Sequence, residues 1–224
     1  MKKLILLPNT LHEESAWSYT PPAIDALIAE SDKGGYQFLK KFGLPKCPIY
    51  LLNEHTQKPE DLIKIQEAVV GLISDAGLPC LADPGSAVVA AAHRAGIAVE
   101  AVPGPNSIMM ALQLSGFSGQ AFTFHGYFPR EEQHLSSLLK KLDPHYTHLF
   151  IETPYKTEKL FQLLIKYLPA HAGLSISLEL MGSHSYTRTD SIEGWKKKPL
   201  PVSKARAVFV ISFKVNNRLN GKCK

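Results

Sequence analysis

Three glycine- and proline-bearing turns in one short stretch constrain this chain more than anything else in it. Leu72-Ile73 runs into Ser74-Asp75-Ala76-Gly77-Leu78-Pro79, and Ala82-Asp83-Pro84-Gly85 follows at once. An alanine-rich segment then leads to Gly96, and Val102 ends in Pro103-Gly104-Pro105-Asn106-Ser107. Apolar runs end in turns and a helical pattern returns between them, so the stretch predicts strand, helix and strand in a parallel α/β sheet. Sheets of this kind bind ligands beyond the carboxyl ends of their strands. Gly77, Gly85 and Gly104 let a ligand approach the main chain, while Pro79, Pro84, Pro103 and Pro105 stiffen the loops that present it. Taken singly, each motif is also an ordinary turn; their succession is what points to a site.

Composition narrows the class. The 224 residues suffice for one large domain or two modest ones. No apolar run approaches the ~18 residues of a membrane span, and Met1 to Leu7 stops at Pro8, too short for a signal-peptide core. A soluble cytoplasmic protein is expected. Cys47, Cys80 and Cys223 are odd in number and lack a Cys-x-x-Cys pair, so neither a disulfide framework nor a thiolate zinc site is indicated, and no metal is expected. The net charge of +5 is concentrated at Lys196-Lys197-Lys198 and from Lys204 through Lys224. That excess suits either a polyanionic partner or a solvated lysine-rich face. A Gly-x-Gly-x-x-Gly fingerprint, a phosphate loop and a Gly-x-Ser-x-Gly elbow are all missing, which argues against dinucleotide, nucleoside-triphosphate and serine-hydrolase chemistry.

Along the chain, Leu4 to Leu7 reads as a buried strand. Pro21-Pro22 opens a predicted helix with Thr20 as N-cap and Ile24, Leu27 and Ile28 on one face. A helix ends at Gly43, Ile49 to Leu52 is a strand, Pro59-Glu60-Asp61 starts a helix, and Ala68 to Ile73 is a strand apolar enough to be covered on both faces. Ser86 to Ala95, closed by Gly96, is a helix, Ala98 to Val102 a strand, and Asn106 or Ser107 caps a helix that runs to Gly116. Beyond Gly119, Phe122 to Phe128 is an aromatic-rich strand. The later elements are helices Glu131 to Leu142 and Lys156 to Leu168, and strands at His148 to Glu152, Leu174 to Leu180, Tyr186 to Ile192 and Ala207 to Phe213. Late strands without a helix between every pair imply a mixed sheet. Two lobes are expected, 1–118 and 119–224, with a cleft between them. His145 and His148, separated by a turn and lacking a third ligand, are expected at the surface.

Ser74 to Pro79, Asp83-Pro84-Gly85, Val102 to Pro105, the helix end from Ala111 to Gly116, and Phe124-His125-Gly126-Tyr127-Phe128-Pro129-Arg130 match a known pattern in order and spacing. In these motifs the chain resembles the tetrapyrrole methylase superfamily of class III S-adenosylmethionine-dependent methyltransferases. Within it, the branch of the small-subunit ribosomal RNA ribose 2′-O-methyltransferase I is most similar. Phe150 to Tyr155 and Glu179-Leu180 resemble two further motifs of that branch. The branch's Pro-Ile-Gly-Asn-Leu-type loop is replaced here by Pro8-Asn9-Thr10-Leu11, and its Glu-Asp-Thr-Arg-type motif by Glu30-Ser31-Asp32-Lys33. The branch's usual carboxyl-terminal extension is not expected here.

The resemblance implies an α/β, two-lobed fold, S-adenosylmethionine as cofactor, and a homodimer. It places Pro8, Asp75, Ala76, Gly77, Leu78, Ser107, Ile108, Ile151, Glu152 and Leu180 around the cofactor. Methyl transfer from a sulfonium needs alignment and exclusion of water more than catalytic side chains. A ribose hydroxyl must still lose its proton, for which Glu30, His55 and Asp83 are the candidates. Tyr127, Phe128 and Arg130 are candidate RNA contacts, two by stacking. Ribosomal RNA is the expected substrate. A tetrapyrrole or other small-molecule acceptor, or a non-catalytic S-adenosylmethionine-binding protein, stays open, since fold does not fix function.

Overall fold

The computed structural model describes residues 1–198 and 204–214. It divides into two compact units, Met1–Asn106 and Ser107–Lys224. In the first, β1 (Lys3–Leu6), β2 (Ala26–Ala29), β3 (Ile49–Leu51), β4 (Val69–Leu72) and β5 (Ala98–Ala101) alternate with α1 (Asp32–Lys41) and α2 (Ser86–Arg94). The strands lie in the order β3-β2-β4-β1-β5, all parallel. Successive residues of a strand point to opposite faces. Accordingly Leu4, Ile28, Val70 and Leu72 pack with Val88 and Ala92 of α2, while Ile5, Leu7 and Leu27 pack with Phe38 and Leu39 of α1. Both faces are covered, as the unbroken apolar runs required.

One predicted element changes type. Ala26 to Ala29 is a wholly buried strand, where the spacing of Ile24, Leu27 and Ile28 predicted a helix. A short apolar run cannot separate the two by period. Its context decides: the Asp25 N–H donates to the Val69 carbonyl and the Asp25 carboxylate accepts from the Val69 N–H, at 2.8 Å each, docking the run beside β4. The helix predicted from Pro59 is a single 3-10 segment, Pro59–Lys64, with no buried residue. The α1 boundaries follow local chemistry. Ser31 caps the start by accepting from the Gly34 N–H, Lys40 and Lys41 sit in the last turn, and Gly43 follows at φ +68°.

The second unit contains α3 (Ser107–Ser115), β6 (Phe122–Tyr127), α4 (Glu132–Lys141), β7 (Thr147–Glu152), α5 (Thr157–Tyr167), β8 (Gly173–Leu178), β9 (Tyr186–Ser191), α6 (Ile192–Lys197) and β10 (Ala207–Ser212). Its sheet order is β6-β7-β10-β8-β9. β6 and β7 are parallel and the other pairings antiparallel, the mixed sheet expected. The units divide between Asn106 and Ser107, not near residue 118, because α3 packs on the second sheet and the Thr189 hydroxyl donates to the Ser115 carbonyl at 2.9 Å. The sequence reading missed α6. Ser191 caps it, and Trp195 is fully buried with its indole N–H on the Leu174 carbonyl at 2.9 Å and Arg188 over its ring at 4.1 Å.

His148 is not at the surface. It is 2 % exposed, its Nε2 lies 2.8 Å from the Asp143 carbonyl, and its Nδ1 lies 2.9 Å from His125 Nε2. A carbonyl only accepts, so His148 carries its proton on Nε2 and takes the His125 N–H at Nδ1. Burial, and then the neighbouring His148, hold the His125 imidazole below its ordinary value. His145 is exposed, as expected. Most of the basic run from Lys204 through Lys224, and Cys223 with it, lies outside the described residues.

Candidate functional site

The carboxyl ends of the parallel strands of the first unit converge on one edge. The loop after β1 carries Pro8, and Glu30 directly follows β2. The loop after β4 carries Ser74 to Gly85, and the loop after β5 carries Pro103 to Pro105. Asn9 ties the first of these to the third. Its backbone N–H donates to the Gly77 carbonyl at 2.7 Å, and its side-chain amide donates to the carbonyls of Ser74 and Asp75 at 3.1 Å each. Its side-chain oxygen accepts from the Thr10 N–H at 2.8 Å. Every hydrogen-bonding group of the amide that reaches the loop is thereby used to hold the Asp75 turn. Gly77 is buried in the left-handed region at φ +73°, with Leu11 and the Pro105 carbonyl where a Cβ would stand.

Gly104 is required for a different reason. A Cβ there would fall 2.1 Å from Cβ of Pro8 and 3.5 Å from Cη2 of Trp17. Main chain and proline ring touch only because the side chain is missing. Trp17 in turn lies 5.1 Å from Tyr19, and Tyr19 lies 4.9 Å from Phe42, ring centre to ring centre. The segment His12 to Tyr19, which has no readable period, is thus anchored aromatically over the Pro8–Gly104 corner. The Tyr19 hydroxyl is buried without a hydrogen-bond partner, and burial raises its pKa.

Three carboxylates gather at the same edge. A Glu30 oxygen accepts from the Asp75 N–H at 3.1 Å. Burial raises the Glu30 carboxyl, the Asp75 N–H lowers it, and the Asp75 charge raises it again. Asp83 is pushed up to about 6, mainly by burial and next by the Glu30 charge, against a hydrogen bond with Ser74 that lowers it, with Asp75 adding a further rise. Like charges in a half-buried place cannot all ionise freely. The result is a carboxylate poised to gain or lose a proton near neutrality, which is what a general base needs. His55 is not drawn into this cluster in the same way: its side chain is 85 % exposed, beside Glu54 at 3.6 Å.

The sequence matches a known family model, Tetrapyrrole (Corrin/Porphyrin) Methylases, over residues 16–174. The chain belongs to the tetrapyrrole methylase family. Among the relatives of this chain, one from Leptospira borgpetersenii serovar Hardjo-bovis, named ribosomal RNA small subunit methyltransferase I, is 37 % identical over 59 % of this chain and 54 % of its own. One of the same name from Thermotoga maritima is 33 % identical over 58 % and 60 %. The chain thus spans a little over half the length of these curated relatives. Of solved structures, uroporphyrin-III C-methyltransferase of Thermus thermophilus, complexed with S-adenosylhomocysteine, aligns over 95 % of this chain and 97 % of its own at a TM-score of 0.53 and 12 % identity. At that identity the likeness speaks for the fold.

In the second unit, Ser107 opens α3, while Ile108 and Leu180 are buried. Ile151 is partly buried near the end of β7. Glu152 is 7 % exposed and accepts from the Thr153 N–H and hydroxyl at 2.7 and 3.1 Å, so its carboxylate organises its own strand end. Leu180 sits between Glu179 at φ +44° and Met181 at φ +67°. Of the three residues expected to meet RNA, Tyr127 is 56 % exposed and Arg130 is exposed. Phe128 is core: it is 6 % exposed and stacks on Phe150 at 3.8 Å. The left-handed Gly126 and the register shift between Phe124 and Tyr127 explain the difference, since a bulge re-aims the residues after it. Sequence reasoning missed Asn9 and Trp17. An Asn directly after Pro8 at a strand end is a readable signal for loop-holding hydrogen bonds, whereas nothing in the sequence pointed to Trp17.

Proposed function

We propose that this chain is an S-adenosylmethionine-dependent methyltransferase that methylates a ribose 2′-hydroxyl of small-subunit ribosomal RNA. The observation that carries the reading is the Glu30–Asp75–Asp83 carboxylate cluster, set among the Pro8, Gly77 and Gly104 loops at the strand ends. The fit is chemical: a sulfonium donor is cationic, and the cluster is anionic. When bound, the donor supplies an electrophilic methyl group and a neutral thioether leaving group. Pro8, Asp75, Ala76, Gly77 and Leu78 would hold it in this unit, and Ser107, Ile108, Ile151, Glu152 and Leu180 are the contacts proposed from the other. Asp83 would take the hydroxyl proton of the acceptor as it is methylated. Burial, and next the charge of Glu30 fixed on the Asp75 N–H, keep the Asp83 pKa high enough to accept it.

Two assays test this together. Calorimetric titration should show S-adenosylmethionine binding, and label from the donor methyl should enter small-subunit RNA in ribosomal particles, less at raised salt. The absence of heat at millimolar donor would sink the enzyme reading. Label entering a tetrapyrrole instead would move the acceptor to a small molecule, and binding with no transfer to any acceptor would leave a non-catalytic protein.

The relatives' names support RNA as partner, as do Tyr127, Arg130 and the exposed Lys196 and Lys197 of α6. We also propose a homodimer. β6 is an edge strand that carries Phe122 and Tyr127 at 37 % and 56 % exposure, an apolar edge that a second copy would cover. Light scattering at micromolar concentration should give twice the chain mass, and a monomer would overturn the claim. Among the described residues no helix is long and apolar enough to cross a membrane, which supports the proposed cytoplasmic location.

A further inference from the structure

The connection between β3 and β4 is built in a way that leaves a hole. Where the sequence predicted a full helix, the 3-10 segment Pro59–Lys64 covers the sheet without burying a single residue. A cavity of about 340 Å³ opens beside it. Tyr50, Leu62 and Ile65 line it together with Lys58, Lys64 and Asp61. The Tyr50 ring is held in place by its hydroxyl, which donates to both oxygens of Glu67 at 3.1 Å. Lys64 reaches Asp61 at 2.7 Å, but the two side chains are 74 % and 47 % exposed, and such a pair exchanges partners at small cost. Lys58 is exposed as well.

An anchored aromatic ring, apolar neighbours and two ammonium groups, with Asp61 in the lining and Glu67 held at the ring's hydroxyl, suit something flat that carries phosphate. The volume lies at the lower end of that of ligand pockets, room for one nucleotide and little more. Aromatic faces stack on unpaired bases, and lysines neutralise the adjoining phosphates. We propose that this pocket holds one unpaired nucleotide of the RNA acceptor, as an anchoring subsite separate from the strand-end carboxylates. The proposal rests on the RNA reading above and deepens it. It explains how a protein whose reactive edge is acidic can hold a polyanion: the phosphates are gripped elsewhere, at Lys58 and Lys64.

The test is an anisotropy titration of a fluorescein-labelled single-stranded RNA decamer with the full chain and with K58Q/K64Q, over a series of salt concentrations. The double variant should bind roughly tenfold more weakly at low salt. Its plot of log affinity against log salt should be flatter by about 1.4, since each phosphate contact on a single strand contributes about 0.7. Thermal unfolding and the heat of S-adenosylmethionine binding should not change, which separates loss of the subsite from loss of the fold. If the unaltered chain binds the decamer and the variant matches it in affinity and slope, the pocket is not an RNA subsite and the RNA reading survives. If the unaltered chain binds no RNA at any salt, both fall. Adenosine monophosphate binding as tightly as the decamer would assign the pocket to a free nucleotide and overturn the proposal.

Discussion

Replacing Gly104 with alanine should lower donor affinity at least tenfold and reduce the unfolding temperature by roughly 5–10 °C. A Cβ at this position meets Cβ of Pro8 at 2.1 Å and Cγ at 2.6 Å, well inside the ~3.5–4.0 Å at which carbon atoms attract. The proline ring cannot rotate away, because its φ is fixed and Leu7 before it is locked to β4 through an N–H bond to the Leu72 carbonyl at 2.9 Å. Either the Pro8 loop or the Gly104 loop must move, and Asn9 transmits that movement to Ser74, Asp75 and Gly77. Overpacking of this kind costs about 1–3 kcal/mol, and each kcal/mol is worth about 2–4 °C in a chain of this size. Gly43→Ala is the control. Gly43 is left-handed at φ +68° with nothing within 4 Å of a Cβ, so it should lose about 1–2 kcal/mol of stability and none of the donor affinity. Equal losses of donor affinity in the two variants, by calorimetry, would show that close approach at Gly104 is not what shapes the site.

Asp83→Asn should slow methyl transfer by about a hundredfold or more while donor affinity stays within a few-fold, because it removes a proton acceptor and preserves shape. It should also stabilise the protein at neutral pH. The Asp83 pKa is raised from 3.8 to about 6 in the folded chain, so the folded state binds the proton more tightly than the unfolded one. The stability that this proton confers is complete below the unfolded pKa and is lost as pH rises through about 6. At pH 7 the ionised carboxylate is a cost that asparagine lacks. Because the site is partly open to water, the gain should be on the order of 1 kcal/mol and should vanish near pH 4. In the unaltered protein, the proposed transfer should rise as pH passes about 6, and the variant should lose that step. A variant with full activity and the same pH profile would remove Asp83 from catalysis.

Trading stability for function in this way ties the reactive edge to the fold. Glu30, Asp75 and Asp83 come from two loops that β2 and β4 bring side by side, in the register Ile28 to Leu72. The covered sheet holds them close enough that burial and mutual repulsion raise Glu30 and Asp83. The subsite proposed at Tyr50 lies in the crossover between β3 and β4, where the short 3-10 segment leaves the sheet thinly covered.

The sequence by itself determined the alternation of short apolar runs with helices. It also determined the turns at the strand ends, the helix stops at Gly43, Gly96 and Gly116, and the mixed sheet after Gly119. Those features depend on period, on glycine and proline, and on capping residues, all of which act over a few neighbours. What needed partners distant in the chain was decided by tertiary structure alone. Ala26 to Ala29 became a strand because β4 offered it a ladder. α3 joined the second unit because its apolar face fits the second sheet. Phe128 entered the core because the Gly126 bulge turned it toward Phe150, and His148 was buried because Asp143 and His125 satisfied both ring nitrogens. Asp83 shows the division most clearly: a turn signal named the residue, but its proton affinity depends on burial and on Glu30, a residue far earlier in the chain that only the folded sheet brings near.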